Sequence, residues 1–267
     1  MSIKGGCLIL NIREFMNNPS GKGAVIPGKA VLLMDLDKRY NELTKNDGIS
    51  EKIYNHKDIY YFHIITKTES EERDNTYDVV LKFEPVDKNM LKDGSLKNYI
   101  MKVFSNSPSF TFTYAYVAGL NGILIEELMD KFDVNILGQP PISRNPSLLF
   151  SYEKTIYFAC KYLLEHNKLN KSYLKGNSKP LKKEFFKNIR NYKQIEEEIT
   201  RAKNKIKADK MNLKPDKPLV PPRPTYKNSD KSAGKIKNVN TIKKIGSTVK
   251  PIKPKKNSTS VKKIKKK

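Results

Sequence analysis

F-T-F-T-Y-A-Y-V-A, residues 110–118, alternates aromatic and smaller side chains for most of its length. In an extended chain successive side chains point to opposite faces. Phe110, Phe112, Tyr114 and Tyr116 would then share one face, with Thr111, Thr113, Ala115 and Val117 on the other. Aromatic and β-branched residues suit strands. The stretch reads as a strand at the centre of a sheet, ended by Gly119–Gly122. Tyr99–Phe104 reads as its neighbour, joined by a turn at Ser105–Pro108.

Working towards the N-terminus, a β-hairpin is expected from Ile59–Thr66 and Tyr77–Phe83, both rich in β-branched and aromatic residues. In its second strand Val79, Leu81 and Phe83 share a face and Val80 and Lys82 the other. The polar link 67–76 reads as a solvent loop. Further upstream, Cys7–Ile12 and Ala30–Met34 read as short strands around a Gly/Pro/Lys loop, Asn17–Lys29. Asp37–Lys45 reads as one or two helical turns, followed by the turn signal Asn46-Asp47-Gly48.

Towards the C-terminus the pattern becomes helical. Leu124, Leu128 and Met129 suggest a helix over Ile123–Phe132. Asn145–Pro146 offers a cap followed by proline at the first helical position, predicting a helix to His166 with Leu149, Tyr152, Ile156, Ala159, Cys160 and Leu163 inward. Asn167–Lys179 reads as a polar hinge. Apolar residues from Leu181 through Phe185, Ile189, Tyr192, Ile195, Ile199 and Ala202 to Ile206 keep a near-heptad rhythm. They predict one long amphipathic helix, 178–210, which either packs on the parent domain or forms a coiled coil with a second copy. The expected fold is therefore α+β: residues 1–175 form an antiparallel β-sheet with packed helices. The long helix and a C-terminal tail, 211–267, follow. Proline, then lysine, dominates that tail, and its composition predicts disorder.

Charge divides the chain sharply. Residues 201–267 hold 23 Lys and Arg against three acids, Asp209, Asp216 and Asp230, which is +20 of the chain's +24. A nearly neutral body joined to a cationic arm points to a polyanionic partner, foremost nucleic acid. The residues expected to make phosphate contacts are Lys243, Lys244, Lys250, Lys253, Lys255, Lys256, Lys262, Lys263, Lys265, Lys266 and Lys267. Lysine at this density neutralises phosphates without reading bases, so the binding is expected to be non-specific and salt-sensitive. If the aromatic face of Phe110, Phe112, Tyr114 and Tyr116 is exposed, it offers instead a base-stacking platform for single strands. Such platforms interleave basic residues and glycine; here Thr and Ala intervene, which favours a core role.

Catalytic chemistry has little support. Gly23–Ala30, G-A-V-I-P-G-K-A, lacks the Ser or Thr that closes a phosphate-binding loop. Val31–Asp37 only faintly matches an aspartate-phosphatase signature, with Lys38 and Arg39 where the threonine belongs. His56, His63 and His166 have no metal-ligand spacing with Cys7 or Cys160, and no cofactor motif is found. Two cysteines are too few for a disulfide scaffold and suggest a reducing setting. No apolar run reaches the ~20 residues of a membrane span, and the N-terminus lacks a signal-peptide core. Pro218–Arg223, P-L-V-P-P-R, has the PxxPxR form of an SH3 ligand; it reads equally as a stiff spacer.

The runs K-V-F-S-N-S-P-S-F-T-F-T-Y-A-Y-V (102–117) and R-N-P-S-L-L-F-S-Y-E-K-T-I-Y-F-A-C-K-Y-L (144–163) resemble stretches of virion structural proteins of large tailed bacteriophages. The resemblance covers roughly residues 30–170 and carries no catalytic motif. It implies a non-enzymatic part of a particle, found in the virion or the host cytoplasm, near packaged DNA and other structural proteins.

Overall fold

The two longest strands make the middle of the sheet. β2 (Ile59–Ser70) and β3 (Arg73–Glu84) run antiparallel from Tyr60↔Phe83 out to Ser70↔Arg73. The structure, a computed structural model, describes residues 8–21, 23–70, 73–87 and 94–212. The expected hairpin is present, but its ladder continues through the link read as a loop. Thr66, Thr68 and Thr76 have the β-branched shape that sustains a strand despite the surrounding charge.

β1 (Ile49–His56) pairs antiparallel with β2, closing on His56↔Ile59. Sequence reading missed this strand because its two-residue turn, Lys57-Asp58, lacks the Asn-Gly or Asp-Gly chemistry such turns favour. Lys57 takes a left-handed φ of 56° instead. β4 (Ile100–Ser105) pairs antiparallel with β3, and β5 (Ser178–Pro180) pairs parallel with β1. The order is β4-β3-β2-β1-β5, and the fold is α+β, as expected.

Both edges are managed. Leu10 and Ile123 accept hydrogen bonds from Met101 and Val103, and Ile125 donates to Val103, so the β4 edge is covered by loop backbone. β5 is three residues long and ends on Pro180, which has no N–H for a further ladder.

Helices lie on both faces of the sheet. α5 (Lys154–Glu165) crosses β2, β3 and β4, with the buried Cys160 Sγ 3.8 Å from Met101 Sδ. Phe62, Leu81, Phe83, Met101 and Val103 belong to that side, each fully buried. α2 (Lys29–Lys45) packs beside α5 through Leu36, Tyr40 and Leu43, and Tyr40 meets Phe158 at 6.1 Å. The opposite face carries Tyr61, His63, Asp78, Lys82 and Phe104. It is covered by a 3-10 turn (Glu126–Lys131), by Phe132 and by α7 (Glu184–Asn188).

The N-terminal strand assignments do not hold. Residues 8–11 belong to no strand, and Ile12 opens α1 (Ile12–Asn17), where Asn11 and Glu14 form a capping box. Ala30–Met34 lies within α2, where Val31 and Met34 are exposed. A short apolar run cannot distinguish helix from strand by itself; the burial of Leu36, Tyr40 and Leu43 at spacings of four and three decides for helix.

The C-terminal half also needs correction. The helix predicted from Pro146 starts at Lys154. Asn145 does cap a turn, its Oδ1 accepting from Leu149 N, but Leu148 sits at φ 48°, which a continuing α-helix does not allow. Glu153 is the true N-cap, accepting from Ile156 N at 3.0 Å. The hinge 167–179 contains α6 (Lys171–Asn177) and leads into β5. The single long helix is two: α7, then α8 (Tyr192–Asn212), separated by an extended Ile189. Asn191 and Gln194 form a capping box that starts α8 afresh.

Candidate functional site

The stretch 110–118 is helical, not a strand. Pro108 and Ser109 are already helical, Phe110–Tyr114 forms a π-helical turn, and α3 (Ala115–Leu120) continues it. Ser107 supplies the start: its Oγ accepts from Phe110 N at 3.1 Å and its carbonyl from Thr111 N at 2.9 Å. Ser-Pro is thus an N-cap followed by proline at the first helical position, a signal that the aromatic alternation outweighed in the sequence reading.

Helical geometry breaks up the aromatic row, because residues two apart lie on nearly opposite sides and residues four apart share one. Phe110 is fully buried against Phe104 and Phe132's neighbourhood, its ring 6.1 Å from Phe132. Tyr114 packs edge-on against Phe150. Phe112 and Tyr116, on another side, are half-buried at the surface. A continuous stacking face of all four rings is therefore not formed.

Phe112 and Tyr116 line a groove instead. Two adjoining depressions, of ≈ 490 and ≈ 260 Å³, share Thr111, Phe112, Asn135 and Ile136. Tyr192, from the first turn of α8, meets Phe112 edge-on at 4.8 Å, and the Arg144 guanidinium lies 5.1 Å from the Phe112 ring centre. Tyr116, Pro140 and Pro141 form one end; Asp130, Asp133 and Glu196 line the other. Tyr192 was placed in the helix stripe by the sequence reading, and nothing in its spacing linked it to Phe112.

A buried ionic cluster anchors α8. The Asp78 side chain, 5% exposed, accepts from Arg190 Nε at 2.7 Å and from Asn106 Nδ2 at 2.9 Å, and lies 2.8 Å from His63 Nε2. Asn106 also accepts from Asp78 N and donates to the Arg190 carbonyl. Burial pushes the Asp78 carboxyl up, but His63 and Arg190 outweigh it and hold the group below the ordinary carboxylate range. A His–Asp pair is half of a nucleophile-activating set. Among the described residues no hydroxyl or thiol hydrogen-bonds His63, so the arrangement works as a lock holding the α7–α8 corner to β3.

Across β4 from the lock, Glu153 receives Ser107 Oγ at 2.9 Å and Thr155 Oγ1 at 2.7 Å, and Ser105 Oγ lies 2.8 Å from Thr155 Oγ1. Loop 105–107 is thus fixed from both sides. On the sheet's surface, Lys82 pairs with Glu84 and Glu127, and Lys102 with Glu126. Lys161 joins Asp37 and Lys168 joins Glu51 elsewhere on the body. These cations are already neutralised by partners.

Lys243 and the ten lysines after it named above, together with Pro218–Arg223, lie outside the described residues. Among the described residues no group of three or more His, Cys, Asp or Glu could hold a metal ion, and no helix is long and apolar enough to cross a membrane. No protein-family model, curated protein or solved structure matches the chain.

Proposed function

We propose that this chain is a non-enzymatic structural protein whose lysine-rich C-terminal segment binds nucleic acid through its phosphates. One observation carries the reading: residues 201–267 hold +20 of the net +24, with lysines repeated to the last residue. Each lysine that neutralises a phosphate releases a condensed counterion, which gives affinity without sequence preference. The body offers less for such a role, since Lys82, Lys102, Lys161 and Lys168 are held by carboxylates. The helical setting of Phe110–Tyr116 also weighs against the single-strand stacking alternative, which needs coplanar exposed rings. A place in a phage particle is the setting the sequence resemblance suggests.

The test is binding of labelled double- and single-stranded DNA over a salt series, by the full chain and by a version ending at Lys210. The full chain should bind both, with log K falling by roughly 0.9 per contacted phosphate for each tenfold rise in salt on duplex DNA. Truncation should abolish binding. Single-strand binding that survives truncation would move the site to the body and overturn the proposal.

A further inference from the structure

Independently of the charged tail, we propose that the groove between α3 and α8 is a docking site for an extended, proline-rich segment that carries a basic residue. Proline-rich chains in polyproline geometry present flat pyrrolidine faces at a three-residue repeat and bind in shallow grooves walled by aromatic rings. Phe112, Tyr116 and Tyr192 supply such walls, and Ile136 with Pro140 and Pro141 supplies an apolar floor and end. The two adjoining depressions give the groove the elongated form that an extended chain requires and a compact metabolite does not.

Two further observations point the same way. The rim is apolar beyond what a solvated surface needs: Val134 is 85% exposed and Ile142 64%, and clustered apolar exposure marks a contact surface. Charge at the α8 end suits a cation. Asp133 is paired with Lys193, and Lys131 donates to the Lys187 carbonyl. Asp130 has no ion-pair partner among the described residues, and Glu196 faces Tyr192, whose hydroxyl it helps to keep protonated. A Lys or Arg beside the prolines would meet those two carboxylates. Arg144, stacked on Phe112 at the other side, disfavours a second cation there and so fixes the direction of the bound chain.

The experiment titrates the full-length protein with a fluorescent peptide, K-P-L-V-P-P-R-P-T, a sequence that also occurs at residues 217–225. Binding is expected to saturate below roughly 1 mM and to weaken at least tenfold with Tyr192→Ala. Tyr192 also packs on Phe112, so a second variant guards against misfolding: Asp130→Lys with Glu196→Lys changes only surface charge. It should lose affinity for this peptide but not for the same peptide with its Lys and Arg replaced by Ala. Two controls decide the chemistry. A proline-free peptide of equal charge should bind at least tenfold more weakly; equal binding would reduce the groove to an acidic patch and overturn the proposal. Binding of the proline peptide that is unchanged in both variants would overturn its location.

Discussion

Arg190 is the residue whose removal should cost the body most for the smallest change in surface. Its guanidinium donates from Nε to Asp78 Oδ2 at 2.7 Å and from Nη1 to Glu198 at 2.7 Å. Removing one partner of a buried ion pair costs about 3–5 kcal/mol, because the other charge is left desolvated. His63 and Asn106 still contact Asp78, and the Arg190 side chain is 25% exposed, so Arg190→Met should cost about 2–3 kcal/mol. For a chain of this size that lowers Tm by about 5–10 °C. The pH dependence gives an independent readout. A carboxylate whose folded pKa is depressed contributes stability above its unfolded value of about 3.9, lost as pH falls through the lower folded value. Without Arg190 the buried carboxylate titrates higher, so acid unfolding of the variant should begin at a higher pH than that of the parent. Asp78→Asn should flatten this acid limb, and the double variant should be less destabilised than the two single changes sum to. An Arg190→Met protein within 0.5 kcal/mol of the parent by urea denaturation would refute the lock.

Further expectations concern the loop and the core. Glu153→Ala removes the α5 cap and strands the Ser107 and Thr155 hydroxyls, all buried; urea midpoints should report a loss of about 2–4 kcal/mol. Phe110→Ala should cost about 3–5 kcal/mol, whereas Tyr116→Ala, half-buried, should cost less than about 1.5; equal costs would restore the strand reading. Burial pushes the Cys160 thiol well up, so in a Cys7→Ser background a thiol reagent should react only after denaturant is added.

The sheet and its long hairpin were legible because β-branched and aromatic runs leave few alternatives. The central error arose where two signals competed over the same residues. Alternation at 110–118 argued for a strand, and Ser107-Pro108 for a helix start. The helix is supported by Ser107, which is held by Glu153 from 46 residues away, a contact that no local pattern reveals. The same kind of distant partner divides the long helix. The heptad rhythm runs through Ile189, but Arg190 turns into Asp78 across 112 residues, and Asn191 restarts the helix. In each case tertiary hydrogen bonds overrode a local period. The groove was invisible for a related reason: its walls are Phe112 and Tyr192, joined only once the chain has folded.

The π-helical turn has one more implication. Ala115 N bonds to the Phe110 carbonyl, five residues back, so the segment is an α-helix carrying one surplus residue. Deleting Thr113 would let the local ladder relax to ordinary α geometry, yet it would rotate Ala115, Val117 and Ala118 by about 100° relative to what precedes them. All three are fully buried, so the deletion would trade a better backbone for a ruined fit. Here the chain is constrained in its count of residues as much as in their identity. Scanning single-codon deletions along 108–118 would expose that constraint, which libraries of point substitutions leave untouched.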